Sequence, residues 1–262
     1  GRATLWTIAY PLLKRYGFKA VTFLNPNVMP ATGVRPNLDD PSVDPSILSR
    51  ADLSDQPTIS WEEARLMHES GVIDFQSHTA EHSLIYCSSE IVDFYHSAYD
   101  NGYGNYAIPM RREGETDIRY TPPAYGTPIY RSMPRMSAPR RYFDDEGLRQ
   151  ACVEHVAKNG GNAFFQRNNW RDDLFHLVEQ YRAEKGDQGT YETPEQQRVA
   201  LREDLQQSKE RIEAHLSEHT VRHLCFPWHR YSVQAMALAM DFRMVFYCKH
   251  KQMFRSCKTG FG

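Results

Sequence analysis

The 262-residue chain has no Cys-x-x-Cys pair, no long apolar run and no excess of positive charge. Each absence closes off a class of function. Cys87, Cys152, Cys225, Cys248 and Cys257 are odd in number and unpaired in spacing, which argues against a zinc ribbon or a dense disulfide framework. At least one thiol stays free unless it pairs between chains, an arrangement suited to a reducing compartment or to simple buried cysteines. Without a run of about eighteen apolar residues there is no candidate transmembrane span, and no basic-then-apolar leader opens the chain. The expected compartment is cytoplasm or cell envelope. A net charge of −2 supplies no global field for nucleic acid or anionic lipid, so no nucleic-acid partner is expected. Fixed-period repeats and low-complexity segments are also missing.

What is present is the composition of an ordinary α/β protein, 40% hydrophobic and 24% charged. Thr4 to Tyr16 carries Leu5, Ile8, Ala9, Leu12 and Leu13 at helical spacing, with Pro11 in the middle and Gly17 at the cap position. Lys19 to Leu24 is short, apolar and β-branched, as a buried parallel strand is. A loop rich in Pro, Asp, Asn and Ser is predicted over 25–57. Ser60 and Glu63 form a capping box for a helix that buries Ala64, Leu66 and Met67 and stops at Gly71. Val72 to Phe75 is the next strand, and Ser77-His78-Thr79-Ala80-Glu81-His82 follows at its C-terminal end.

The segment 86–191 reads as an insertion, about half of it irregular, in which tyrosines 95, 99, 103, 106, 120, 125, 130 and 142 mix with Arg111, Arg112, Arg131, Arg135, Arg140 and Arg141. It could grip a glycan or polyanion, or pack as a structural arm. Within it, Asp144 to Lys158 and Trp170 to Glu184 have helical register. Thr193 to Gln196 is a second capping box, opening a helix through Leu201, Leu205, Ile212 and Leu216. Val221 to Phe226 is a strand, Pro227 to Tyr231 the loop at its end, Ser232 to Met240 a helix and Arg243 to Tyr247 a strand. This alternation implies a parallel sheet, open or closed into a barrel.

Imidazole is a preferred ligand for zinc and related divalent ions, and His78 and His82, four apart at a strand end, can converge on one ion. Spacing alone is also met by exposed or core-satisfied histidines. Strand C-termini, however, are where α/β folds gather active-site groups. Taken together, Tyr10 to Leu24, Trp61 to Gly71 and Phe75 to Ser83 resemble, in order and spacing, the first half of the polysaccharide deacetylases, carbohydrate esterase family 4. The resemblance covers roughly 1–85 and 220–250. His78 and His82 fall on the family's His-Ser/Thr-x-x-x-His motif, and Leu224 to His229 is similar to its aromatic-proline-aromatic turn.

This resemblance implies a fold, a site and an activity. The fold would be an α/β, (β/α) barrel of the seven-stranded deacetylase type, incomplete or distorted, a single domain over 1–262 interrupted by the insertion 86–191. Its metal ligands would be His78 and His82, and Pro227, Trp228 and His229 would line the substrate, with His229 standing where the family commonly has a small residue. The cofactor would be a divalent metal, zinc with cobalt and nickel as alternatives, and the substrate an acetylated glycan. Gly1 fits the glycine closing the family's Thr-Phe-Asp-Asp-Gly motif, so both aspartates are expected ahead of Gly1 and the acid histidine beyond Gly262. No catalytic residue is therefore assigned, and the chain alone is expected to be inactive. The implied activity is metal-dependent hydrolysis of a non-peptide C–N bond in an N-acetylated carbohydrate. A catalytically silent glycan- or partner-binding member of the same fold is the alternative, and a different barrel enzyme with an accidental histidine pair is a third.

Overall fold

The structure, a computed structural model, describes residues 1–53, 57–100, 108–109 and 122–247. Tyr103, Tyr106, Arg111, Arg112, Tyr120, Cys248 and Cys257 lie outside the described residues. The chain opens with one π-helical turn, Leu5–Ala9, running into α1, Tyr10–Tyr16. Pro11 accounts for the irregularity: it has no N–H for the Thr7 carbonyl, four residues back. That carbonyl instead accepts the Leu38 N–H at 2.9 Å, and the Tyr10 N–H reaches back five residues to Leu5. Gly17, at φ 71°, ends α1 in the left-handed conformation that only glycine adopts without cost.

Strand β1, Ala20–Leu24, is followed by a long connection carrying a 3-10 turn at Pro26–Val28 and the short α2, Pro45–Leu48, capped by Asp44. The connection predicted over 25–57 is thus less bare than its composition suggests. Helix α3, Trp61–Glu69, starts from the Ser60–Glu63 capping box. It buries Trp61, Glu63, Ala64 and Met67, while Leu66 is 41% exposed, a correction to the expected stripe. Then come β2, Ile73–Ser77; β3, Leu84–Phe94; β4, Pro128–Pro134; and β5, Tyr142–Phe143. Helices α4, Glu146–Lys158, and α5, Trp170–Lys185, precede β6, Thr190–Tyr191, and α6, Pro194–His215. The described chain ends with β7, His223–Cys225; α7, Val233–Asp241, capped by Ser232; and β8, Val245–Tyr247.

Two compact units result. One comprises Gly1–His82 with the described residues from Ala200 on. Its sheet has the order β1-β2-β7-β8, every pairing parallel, and among the described residues the outer strands do not pair with each other. Phe75, Leu224 and Phe246 are buried on these strands, as are Leu205 and Ile212 on α6. Each such side chain contributes roughly 1.5–3 kcal/mol by leaving water. The β2–β7 ladder is short, with Ser77 opposite Leu224. Gln76 extends it: its buried side-chain carbonyl accepts the N–H groups of Arg222 and His223, both at 2.8 Å. The connection after β1 is tied to α3 by Arg35, whose guanidinium grips the fully buried Glu63 at 2.5 and 2.9 Å.

The other unit, Ser83–Val199, is built on the antiparallel pair β3–β4, with two register shifts, and the small pair β5–β6. Its core gathers Phe94, Tyr130, Tyr142, Leu148, Phe164 and Leu174. Asp145 caps α4 by accepting the Leu148 N–H. Arg135 and Glu192 form a buried two-pronged ion pair at 2.6 and 2.9 Å. The segment 86–191, expected to be about half irregular, thus opens inside a strand, β3, that begins two residues before it.

Candidate metal and substrate site

The histidine loop begins where β2 runs out. The His78 N–H donates to the Leu24 carbonyl of β1 at 2.8 Å, so the chain is still held to the sheet as it leaves it. Thr79 then turns the chain with φ 67°, and His82 has φ 56°. Left-handed backbone at a buried β-branched residue costs on the order of 1–3 kcal/mol and needs surrounding support. That support is dense. Ser77 Oγ, itself bonded to Ser208 on α6, accepts the Thr79 N–H at 3.2 Å, and Asp204 on α6 accepts the Ala80 N–H at 2.7 Å. The Asn27 N–H donates to the Ala80 carbonyl. The Asn25 amide donates to the carbonyls of His78 and Thr79.

These restraints bring the two imidazoles together, ring centroids 4.8 Å apart and planes inclined at 52°. His78 Nδ1 lies 2.6 Å from the Cys225 carbonyl oxygen, which accepts its hydrogen and leaves the Nε2 lone pair available. Burial is the main reason His78 is pushed down to about 4; the bond to Cys225 opposes it and the neighbouring His82 adds to it. His82 is lowered too, by burial first and then by Arg2. Neutral imidazole is the form that binds a metal.

The loop after β7 faces the pair. Pro227 is buried, and the Trp228 ring lies 4.0 Å from that of His82. Trp228 and His229 both have left-handed backbone, φ 52° and 53°, and both side chains are exposed. Two consecutive strained residues at a strand end are where folds store geometry for a site.

A third metal ligand does not join them: among the described residues no group of three or more His, Cys, Asp or Glu side chains is placed to hold a metal ion. Asp74 accepts from the Gln76 amide at 3.0 Å and lies 3.9 Å from His219. Glu81 accepts from Asn27. The residues present therefore fit two positions of a metal site, one backed by a carbonyl. Asn25, Asn27 and Asp204, which hold the loop, had no signature in the sequence beyond an asparagine directly after a strand.

Comparison with known proteins bears on the same stretch. Residues 1–100 match the polysaccharide deacetylase family. The deacetylase match contains β1, α3, β2 and both histidines. No curated protein matches the chain. Among solved structures, a de-N-acetylase from Aggregatibacter actinomycetemcomitans is 14% identical with a TM-score of 0.50, the alignment covering 100% of this chain and 69% of that one. The BpsB deacetylase domain from Bordetella bronchiseptica is 16% identical with a TM-score of 0.49, covering 96% of this chain and 62% of the other. At such identity the first likeness is one of fold: a mixed α/β structure with a parallel sheet, as in deacetylases.

Proposed function

We propose that this chain carries the metal-binding part of a carbohydrate de-N-acetylase, and that His78 and His82 are two of its metal ligands. The observation that supports this most is the meeting of two half-buried imidazoles, both held toward the neutral form, just after β2, inside the stretch that matches the deacetylase family. On this reading the parallel sheet is part of an incomplete (β/α) barrel, and residues 86–191 are an insertion into one deacetylase domain.

Each residue then has a task. His78 and His82 would hold a divalent ion, zinc with cobalt and nickel as alternatives. When bound, such an ion polarises an acetyl carbonyl and acidifies water. The Cys225 carbonyl keeps the His78 hydrogen on Nδ1, so that the Nε2 lone pair would be available to the ion. Trp228 is the apolar wall beside His82 that would receive the methyl end of an acetyl group, and Pro227 and His229, on the same turn, would complete the substrate side of the site. General base and acid are not assigned to any residue named here.

The test is acetate release from N-acetylated oligosaccharides by the full-length protein with added zinc or cobalt. Activity abolished by a chelator and lowered at least about 100-fold by His82→Ala supports the proposal. Zinc-independent release, or release indifferent to His82→Ala, overturns it. A second reading is a silent glycan-binding member of the fold, in keeping with a pair that no third His, Cys, Asp or Glu side chain joins into a metal-holding group among the described residues. Saturable oligosaccharide binding without acetate release would select it.

A further inference from the structure

Asn25 directly follows β1, whereas the histidine loop follows β2, and it is half-buried. Its side-chain nitrogen lies 2.5 Å from the His78 carbonyl oxygen and 3.2 Å from that of Thr79. The orientation of the amide follows from these contacts, since turning it over would set its oxygen against two carbonyl oxygens. From this geometry we infer that Asn25 is the positioning residue of the histidine pair: its two N–H donors fix the two successive peptide planes, His78–Thr79 and Thr79–Ala80, that open the turn leading from His78 toward His82. The inference rests on the reading of His78 and His82 as metal ligands.

The restraints on the loop divide by kind. Ser77 Oγ and Asp204 take up N–H groups, of Thr79 and Ala80. The Asn27 N–H takes up the Ala80 carbonyl. The carbonyls of His78 and Thr79, on either side of the left-handed Thr79 turn, are both served by Asn25. A single side chain can do this only if it is short and carries two donors on one atom. Aspartate matches the shape and has only acceptors; serine has one donor; leucine has none. His78 keeps a separate anchor through Nδ1 to Cys225, so removing Asn25 acts on the turn and on the placement of His82. Among the described residues the Asn25 side-chain bonds both run to backbone carbonyls, so its role in this inference is one of position.

The experiment compares wild type with Asn25→Ala, Asn25→Ser, Asn25→Asp and His82→Ala in the full-length protein. Three measurements are made: zinc affinity by chelator competition, the visible absorption of the cobalt-loaded protein, and amide hydrogen exchange without metal. Asn25→Ala and Asn25→Asp are expected to weaken zinc about 10- to 100-fold and to alter the cobalt spectrum. In the metal-free protein they are expected to speed exchange at Thr79 and Ala80 at least about tenfold while α3 amides keep wild-type rates. Asn25→Ser, with one donor, falls between. Wild-type zinc affinity and exchange in Asn25→Ala overturn the inference, and so does an Asn25→Asp protein that behaves as wild type, because the donors would then be irrelevant. His82→Ala separates the two claims. If it retains zinc, the metal reading fails, and the metal-free exchange rates alone decide whether Asn25 sets the turn.

Discussion

His78 on the loop after β2 is bonded through Nδ1 to the main-chain carbonyl of Cys225 at the end of β7, 2.6 Å away. The bond ties the orientation of a candidate ligand to the parallel pairing of the two strands that carry it. The burial of the His78 ring, which this bond only partly opposes, has a consequence for pH. Burial pushes His78 down to about 4 from its ordinary 6.5. Between those values the unfolded chain takes up a proton that the native protein refuses. Stability from the neutral ring is therefore complete above about pH 6.5, declines as pH falls through that window and is gone below about pH 4. The whole effect is about 3 kcal/mol. Urea unfolding of the metal-free protein at about pH 7.5 and about pH 4.5 is expected to show a drop about 2 kcal/mol larger in wild type than in His78→Asn. Equal drops in the two proteins would refute the assignment.

Glu63 is the buried anchor of the connection after β1. It accepts from Arg35 with both oxygens and from the Ser60 N–H, and its side chain has no exposed surface. Glu63→Ala strands a half-buried guanidinium and opens the capping box. The expected loss is about 3–5 kcal/mol by urea unfolding. Glu63→Gln, which keeps the cap and loses the charge, is expected to cost less; a larger cost for Gln than for Ala would contradict this account.

In the Ser83–Val199 unit, Gly126 has φ 90°, and a Cβ there would lie 2.7 Å from Val156 Cγ2 and 2.9 Å from the Cys152 carbonyl oxygen. Both backbone strain and overlap with α4 oppose any side chain. Gly126→Ala is expected to destabilise by about 2 kcal/mol or more, read from thermal or urea unfolding. A neutral substitution would mean that α4 can withdraw from this contact.

On the proposed function, Trp228→Ala removes the wall beside His82 and leaves both ligands in place. Zinc affinity is expected to stay within about threefold of wild type while kcat/KM for acetylated oligosaccharide falls about tenfold or more. A variant that loses zinc as His82→Ala does would place Trp228 in support of the metal instead of the substrate.

Much of the scaffold could be read directly from the residues. The Ser60–Glu63 box, the Thr193–Gln196 box and the Gly17 cap are local devices whose partners lie within a turn, and each is found as expected. The parallel strands announced themselves as short apolar runs between helices. Strand β3 did not, because Cys87, Ser88, Ser89 and Glu90 interrupt its apolar pattern where its register against β4 shifts. Leu66 followed helical spacing into an exposed position because Glu63 takes a place in the core. For the site, two histidines four apart gave the position. Their inclination, the carbonyl behind His78 and the clamp from Asn25 depend on contacts between residues about fifty to nearly 150 positions apart, which no local pattern carries.

The sheet order has a kinetic consequence. Strands β1 and β2 pair across a connection of about fifty residues that carries α2 and α3, but β2 and β7 are neighbours across 147 residues of chain. Closing so long a loop costs about 4 kcal/mol of chain entropy before any pairing returns it. The early folding nucleus is therefore expected in β1, α3 and β2, with the union of β2 and β7 coming late. Substitutions along β7 would then hasten unfolding far more than they retard folding. The bond from His78 to Cys225 would be among the last formed as the chain matures and among the first given up on heating.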